Sequence, residues 1–134
     1  MTSGHVQGAP RLLLRMEGAA LLLSALLGYS WSGQPWWLLA ALILVPDASM
    51  LGYLVGPKVG AAIYNAAHST IAPLLLLGGS ALLDNHVTLG LALIWLAHIG
   101  FDRALGYGLK YVSGFSDTHL GRIGGSSEKA GVTP

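Results

Sequence analysis

Four apolar stretches, each near 20 residues and joined by short polar loops, limit what this chain can become. A helix crossing the hydrocarbon core of a bilayer needs roughly 20 mostly apolar residues. Residues 11–31, 35–55, 58–83 and 86–111 meet that requirement. A soluble domain of 134 residues needs more charge to cover its surface: this chain is 10% charged, against about 25% in an average soluble domain. The pattern predicts an all-α membrane protein, a four-helix antiparallel transmembrane bundle, because short loops make consecutive helices alternate in direction. Trp36 and Trp37 open the second span, where indole rings suit the headgroup interface. Gly56-Pro57 and Asp84-Asn85 mark the turns at either end of the third. Residues 1–10 and 125–134 are small and polar and are expected to be mobile, leaving 11–124 as one membrane domain.

Charge sets the expected orientation. Arg11, Arg15, Lys58, Arg103, Lys110, Arg122 and Lys129 all fall on one side of an even-spanned bundle. The loops around Gly33-Gln34 and Asp84-Asn85, on the other side, hold no Lys or Arg. Basic loops stay cytoplasmic, so the reading is an inner (cytoplasmic) membrane protein with both termini in the cytoplasm. The first span is read as a retained helix rather than a cleaved signal. Glu17 interrupts its apolar core, and Gly28-Tyr29-Ser30-Trp31 is a poor cleavage site. The chain has no cysteine, which excludes disulfides, thiolate metal sites and cysteine nucleophiles. A net charge of +1 without a basic patch gives nucleic acid nothing to bind.

Six polar residues inside the spans carry the functional signal: Glu17, Asp47, Asn65, His68, His98 and Asp102. A charge held in lipid is costly, so such residues face a bundle interior and serve function. Counting from the basic ends of the spans places all six roughly 9–19 Å deep. His98 and Asp102 are four residues apart and share a helix face, as do Asn65 and His68 at three. Pro46, just before Asp47, is expected to kink the second helix or free a carbonyl one turn earlier.

Imidazoles and carboxylates together suit zinc, iron or manganese. The candidate metal ligands are His68, His98, Asp102, Asp47 and Glu17, with Glu17 or Asp47 alternatively serving as a general base. Asn65, Arg15, Arg103 and Arg122 are candidates for holding an anionic substrate. Residues 114–122 are read as a short cytoplasmic flap over the site, with His119 as a further acid or base. Other readings stay open. The arginines and Lys58 could pair with the carboxylates and leave the histidines merely hydrogen-bonded. Two histidines could ligate a haem, or the layer could relay protons in a small transporter or an accessory subunit. Small residues recur every four positions at Gly100, Ala104 and Gly108 and at Gly52, Gly56 and Gly60, which serves either internal packing or self-association, as a homo-oligomer or in a larger membrane complex.

Several blocks also carry a resemblance: Arg15-Met16-Glu17-Gly18, Pro46-Asp47-Ala48-Ser49-Met50-Leu51-Gly52-Tyr53, Tyr64-Asn65-Ala66-Ala67-His68, Trp95 to Tyr111, and Gly114 to Gly121. Together they resemble a bacterial family of small integral membrane proteins, domain of unknown function 4260, over about residues 11–124. The resemblance implies a membrane-embedded protein and brings no activity with it. From the residues themselves the expectation is a metal-dependent membrane hydrolase acting on a lipid-like or amphipathic substrate.

Overall fold

The structure, a computed structural model, describes residues 8–107, 109, 117–118 and 121–122. Helix α1 (Gly8–Ser32) forms the first span and α5 (His86–Leu105) the last. The second span is two pieces, α2 (Trp36–Leu42) and a 3-10 helix (Val45–Leu54). The third is also two pieces, α3 (Pro57–His68) and α4 (Ile71–Leu82). All four spans are long and apolar enough to cross a membrane. A two-residue antiparallel ladder, β1 (Asp117–Thr118) with β2 (Gly121–Arg122), follows α5. The rest of the expected flap, His119 included, lies outside the described residues, as do residues 1–7 and 125–134 and the side chain of Arg122.

Large apolar side chains point outward along every span, among them Leu23, Leu44, Leu54, Leu75 and Leu82. In water such a surface would be an aggregation hazard; in a bilayer it is the lipid contact. The interior is built around α5, whose buried residues run from Gly90 to Asp102. Hydrophobic burial gives little drive between helices in lipid, so close packing of small residues carries the association. A Cβ on Gly18 would stand 2.4 Å from the Arg103 Cβ, and one on Gly100 would stand 2.6 Å from the Leu22 backbone nitrogen. The α1 and α5 backbones therefore touch. Ala25 packs on Leu96 and Ala97 one turn farther along. Gly52 and Gly60 repeat the device between the 3-10 helix and α3. Gly18, Gly100, Gly52 and Gly60 thus sit in internal seams, while a Cβ on Gly56 would meet nothing within 4 Å.

Helix α5 ends sooner than the sequence suggests, at Leu105 instead of near Tyr111. Gly106 adopts the left-handed conformation (φ 92°), which only glycine reaches without strain. Its N–H goes to the Arg103 carbonyl, and that of Tyr107 to the Asp102 carbonyl. Gly108 consequently falls beyond the helix and outside the described residues.

The interruptions in the second and third spans have identifiable causes. Pro46 has no N–H, and the Asp47 N–H turns to the Leu44 carbonyl at 3.0 Å. The Ile43 carbonyl so loses the partners a regular helix would supply. Pro73 does the same in the third span. It sits in the first turn of α4, where missing donors cost nothing, but it could not continue from α3. The chain therefore opens at Ser69, which is extended (φ −81°, ψ 146°). The Ser69 hydroxyl accepts the Ile71 N–H at 3.2 Å. The kink at Pro46 was anticipated; the break before Pro73 was not.

Candidate metal centre

The two breaks fall at the same place in the bundle, beside α5. Asp47 sits in the first turn of the 3-10 helix and His68 is the last residue of α3. His98 and Asp102 project from one face of α5. The Nε2 atoms of His68 and His98 are 3.1 Å apart. Asp47 Oδ1 lies 3.2 Å from the first and 3.1 Å from the second. Asp102 Oδ2 lies 3.4 Å and 3.1 Å from the same two atoms. The four ligand-type atoms all fall within 4.8 Å of one another and could hold a metal ion. His98 is 2% exposed, His68 and Asp102 are buried, and Asp47 is the open member, its side chain 33% exposed.

The orientation of each ring has a cause. His68 Nδ1 lies 2.9 Å from the Tyr64 carbonyl, so this nitrogen donates, and in the neutral ring Nε2 is the one that carries the lone pair toward the cluster. The Tyr64 ring stacks on the imidazole with centroids 3.8 Å apart and planes 11° apart. His98 faces the backbone of Ile43, the residue whose carbonyl Pro46 leaves open. Backbone partners of this kind set the tautomer and rotation of metal-binding histidines.

The severed end of α3 is secured from α5. Trp95 Nε1 donates to the Ala67 carbonyl at 2.6 Å, and Arg103 Nη2 donates to the His68 carbonyl at 3.1 Å. Both bonds are part-buried in an apolar bundle, where a polar group without a partner costs several kcal/mol, on the order of the values for transfer to hydrocarbon. Sequence reasoning missed the Trp95 donor and assigned Arg103 to an anionic substrate instead of to the His68 carbonyl. The signal was present: an indole N–H one turn before His98 and a guanidinium next to Asp102, opposite a proline-broken span.

The remaining expected site residues are placed as follows. Glu17 stands apart from the group, exposed on α1 along the stripe of Leu13 and Met16 that faces outward. Its neighbour Gly18 takes the contact with α5 instead. Arg15 donates from Nε to the Ala104 carbonyl at 2.9 Å, capping the last turn of α5. Arg103 is engaged with His68 as described, so both guanidinium groups hold backbone rather than pairing with the carboxylates. Every ion pair recorded at the cluster joins a histidine to an aspartate. Asn65 is half-buried on α3, one turn before His68. A haem between the two histidines has no room, since Asp47 and Asp102 occupy the space against both Nε2 atoms.

The family described as "Domain of unknown function (DUF4260)" matches residues 11–123. The chain belongs to that family, as its sequence blocks indicate. No curated protein and no solved structure matches it.

Proposed function

We propose that this protein is a metal-dependent membrane enzyme of hydrolase type, with a divalent cation held by His68, His98, Asp102 and Asp47. One observation carries the reading. With Nδ1 of His68 engaged by a backbone carbonyl and His98 facing the Ile43 backbone, two imidazole nitrogens and two carboxylate oxygens converge on one point. Protonating both rings would place two N–H groups head to head at 3.1 Å. A cation satisfies all four atoms at once.

The spacing supports it. Ligand atoms about 2.0–2.1 Å from a tetrahedral zinc ion stand roughly 3.3 Å from one another. Five separations in the cluster lie between 3.1 and 3.4 Å. The same mixed donor set suits manganese or iron. Catalytic zinc sites hold the ion with three protein ligands and keep a fourth position for water. His68, His98 and Asp102, the buried members, supply three. Asp47 is more exposed and rides on the 3-10 segment, which suits it to yield the fourth position to water and then act as the general base. A divalent cation in this site would supply a Lewis acid and a water acidified to near neutrality, with a pKa of about 7. Asp47 would receive the water proton and pass it to the leaving group as the bond to that group breaks. The basic end of the bundle faces the cytoplasm in this reading.

A second reading has its own observation. Two discontinuous spans meeting at a polar site are the arrangement by which secondary transporters bind ions. One experiment separates the two. The tag-free, detergent-purified protein is analysed for metals, alongside a His68→Ala/His98→Ala variant. Near-stoichiometric zinc, manganese or iron that survives gel filtration and is lost in the variant supports the enzyme. Metal at background in both, with the variant folding normally, would falsify it and leave the transport reading standing.

A further inference from the structure

A second feature adjoins the cluster. A cavity of about 250 Å³ opens on the flank of the bundle, lined by Leu42, Pro46, Ala67, Leu91, Ile94 and Trp95 among others. Its walls abut the proposed ligands along the chain. Pro46 precedes Asp47, Ala67 precedes His68, and Ile94 and Trp95 lie one turn before His98. Two polar groups on lining residues, the Trp95 indole N–H and the Ala67 carbonyl, are bonded to each other. What remains is apolar surface. Val45, also in the lining, and its neighbour Leu44 are exposed on the outer surface of the bundle.

The order along α5 gives the cavity a direction. Arg103 lies toward the basic end, His98 and Asp102 follow, and Trp95, Ile94 and Leu91 come roughly 5–10 Å beyond His98. Positive charge, metal-ligand cluster and apolar cavity thus succeed one another toward the centre of the bilayer. A lipid in the leaflet on the basic side presents the same sequence: polar head, hydrolysable linkage, hydrocarbon chain.

We propose that this cavity is the chain-binding subsite of the metal centre, and that the substrate class is a membrane lipid or other single-chain amphiphile whose ester, amide or phosphoester linkage lies at Asp47, His68, His98 and Asp102. The proposal rests on the metal reading above. The occupant enters sideways from the bilayer, because the cavity lies within the span rather than at its end. Hydrolysis adds the oxygen of water to the carbonyl or phosphoryl centre and sends its proton, through Asp47, to the departing group.

The test uses Trp95 as a reporter within the cavity wall. Trp31, Trp36 and Trp37 are exposed, and replacing each with Phe leaves Trp95 as the only indole. The zinc-loaded protein in detergent is titrated with dibromostearate, whose bromines quench an indole at contact and whose carboxylate mimics a hydrolysis product. We expect quenching that saturates near one probe per protein and weakens on removal of zinc by a chelator. Ala67→Leu and Leu91→Phe, filling the cavity from opposite walls, should each weaken the saturable phase about tenfold with zinc content unchanged. Quenching that only follows bulk probe concentration, or a saturable phase indifferent to both fillings, overturns the subsite. A protein without metal that still shows the cavity-dependent phase overturns the metal reading alone.

Discussion

The pair α1 with α5 and the pair formed by the second and third spans solve the membrane problem in opposite ways. Helices α1 and α5 are continuous, and glycines at 18 and 100 bring their backbones into contact. Their hydrogen bonds are satisfied within each helix, so the pair needs little from its surroundings. The second and third spans are each cut by a proline, and each exposes carbonyls that a neighbour must satisfy. They gain from this the placing of Asp47 and His68 at chain breaks, against His98 and Asp102. One pair is scaffold and the other delivers ligands. Intramembrane irregularity is tolerated only where protein covers it, and here α5 supplies the cover.

That division can be attacked from both sides. The largest effect should come from Gly100→Leu, since even a Cβ there meets backbone at 2.6 Å. We expect a loss of more than about 3 kcal/mol, read as a collapse of the thermal transition in detergent together with loss of metal. A variant that melts like the parent would mean that the seam is looser than the contact implies. Pro73→Ala sharpens the comparison on the other pair. It restores a donor to the Ser69 carbonyl and lets α3 run into α4, turning His68 away. Helical content should hold while metal affinity drops about 10- to 100-fold in a chelator competition, the range typical of lost ligand orientation. Unchanged affinity would assign the break to packing rather than to proline. The smallest effect belongs to Trp95→Phe, which removes the donor to Ala67. It should cost about 1 kcal/mol of stability and leave a metal site weaker by no more than about tenfold. For all of these proteins metal binding should weaken as the pH falls, because the imidazoles and carboxylates must be unprotonated to ligate, and titration of bound zinc against pH measures it.

Much of this was legible in one dimension. Span number, loop positions and the shared face of His98 and Asp102 follow from hydropathy and the helix repeat, and the structure has them. The kink at Pro46 follows from a missing N–H. Pro73 escaped because the apolar run from residue 57 to residue 82 reads as one helix. A proline two residues into a hidden first turn leaves no composition shift to mark it. The end of α5 escaped because Gly106 stands among glycines that look alike in sequence, and only its φ of 92° distinguishes it.

Glu17 marks the boundary most clearly. Rise per residue places it in the same layer as Asp47, His68, His98 and Asp102, and depth is all that a count along the chain supplies. Which way it faces depends on the azimuth of α1, which the Gly18–Arg103 and Gly100–Leu22 contacts determine, and they turn Glu17 outward. The sequence by itself therefore determined how many spans cross and how deep each polar residue lies, since these depend on local chemistry and on the thickness of a bilayer. Only the tertiary structure decided which polar residues meet. That choice depends on the rotation of each helix about its axis, and rotation is set by contacts between residues far apart in the chain.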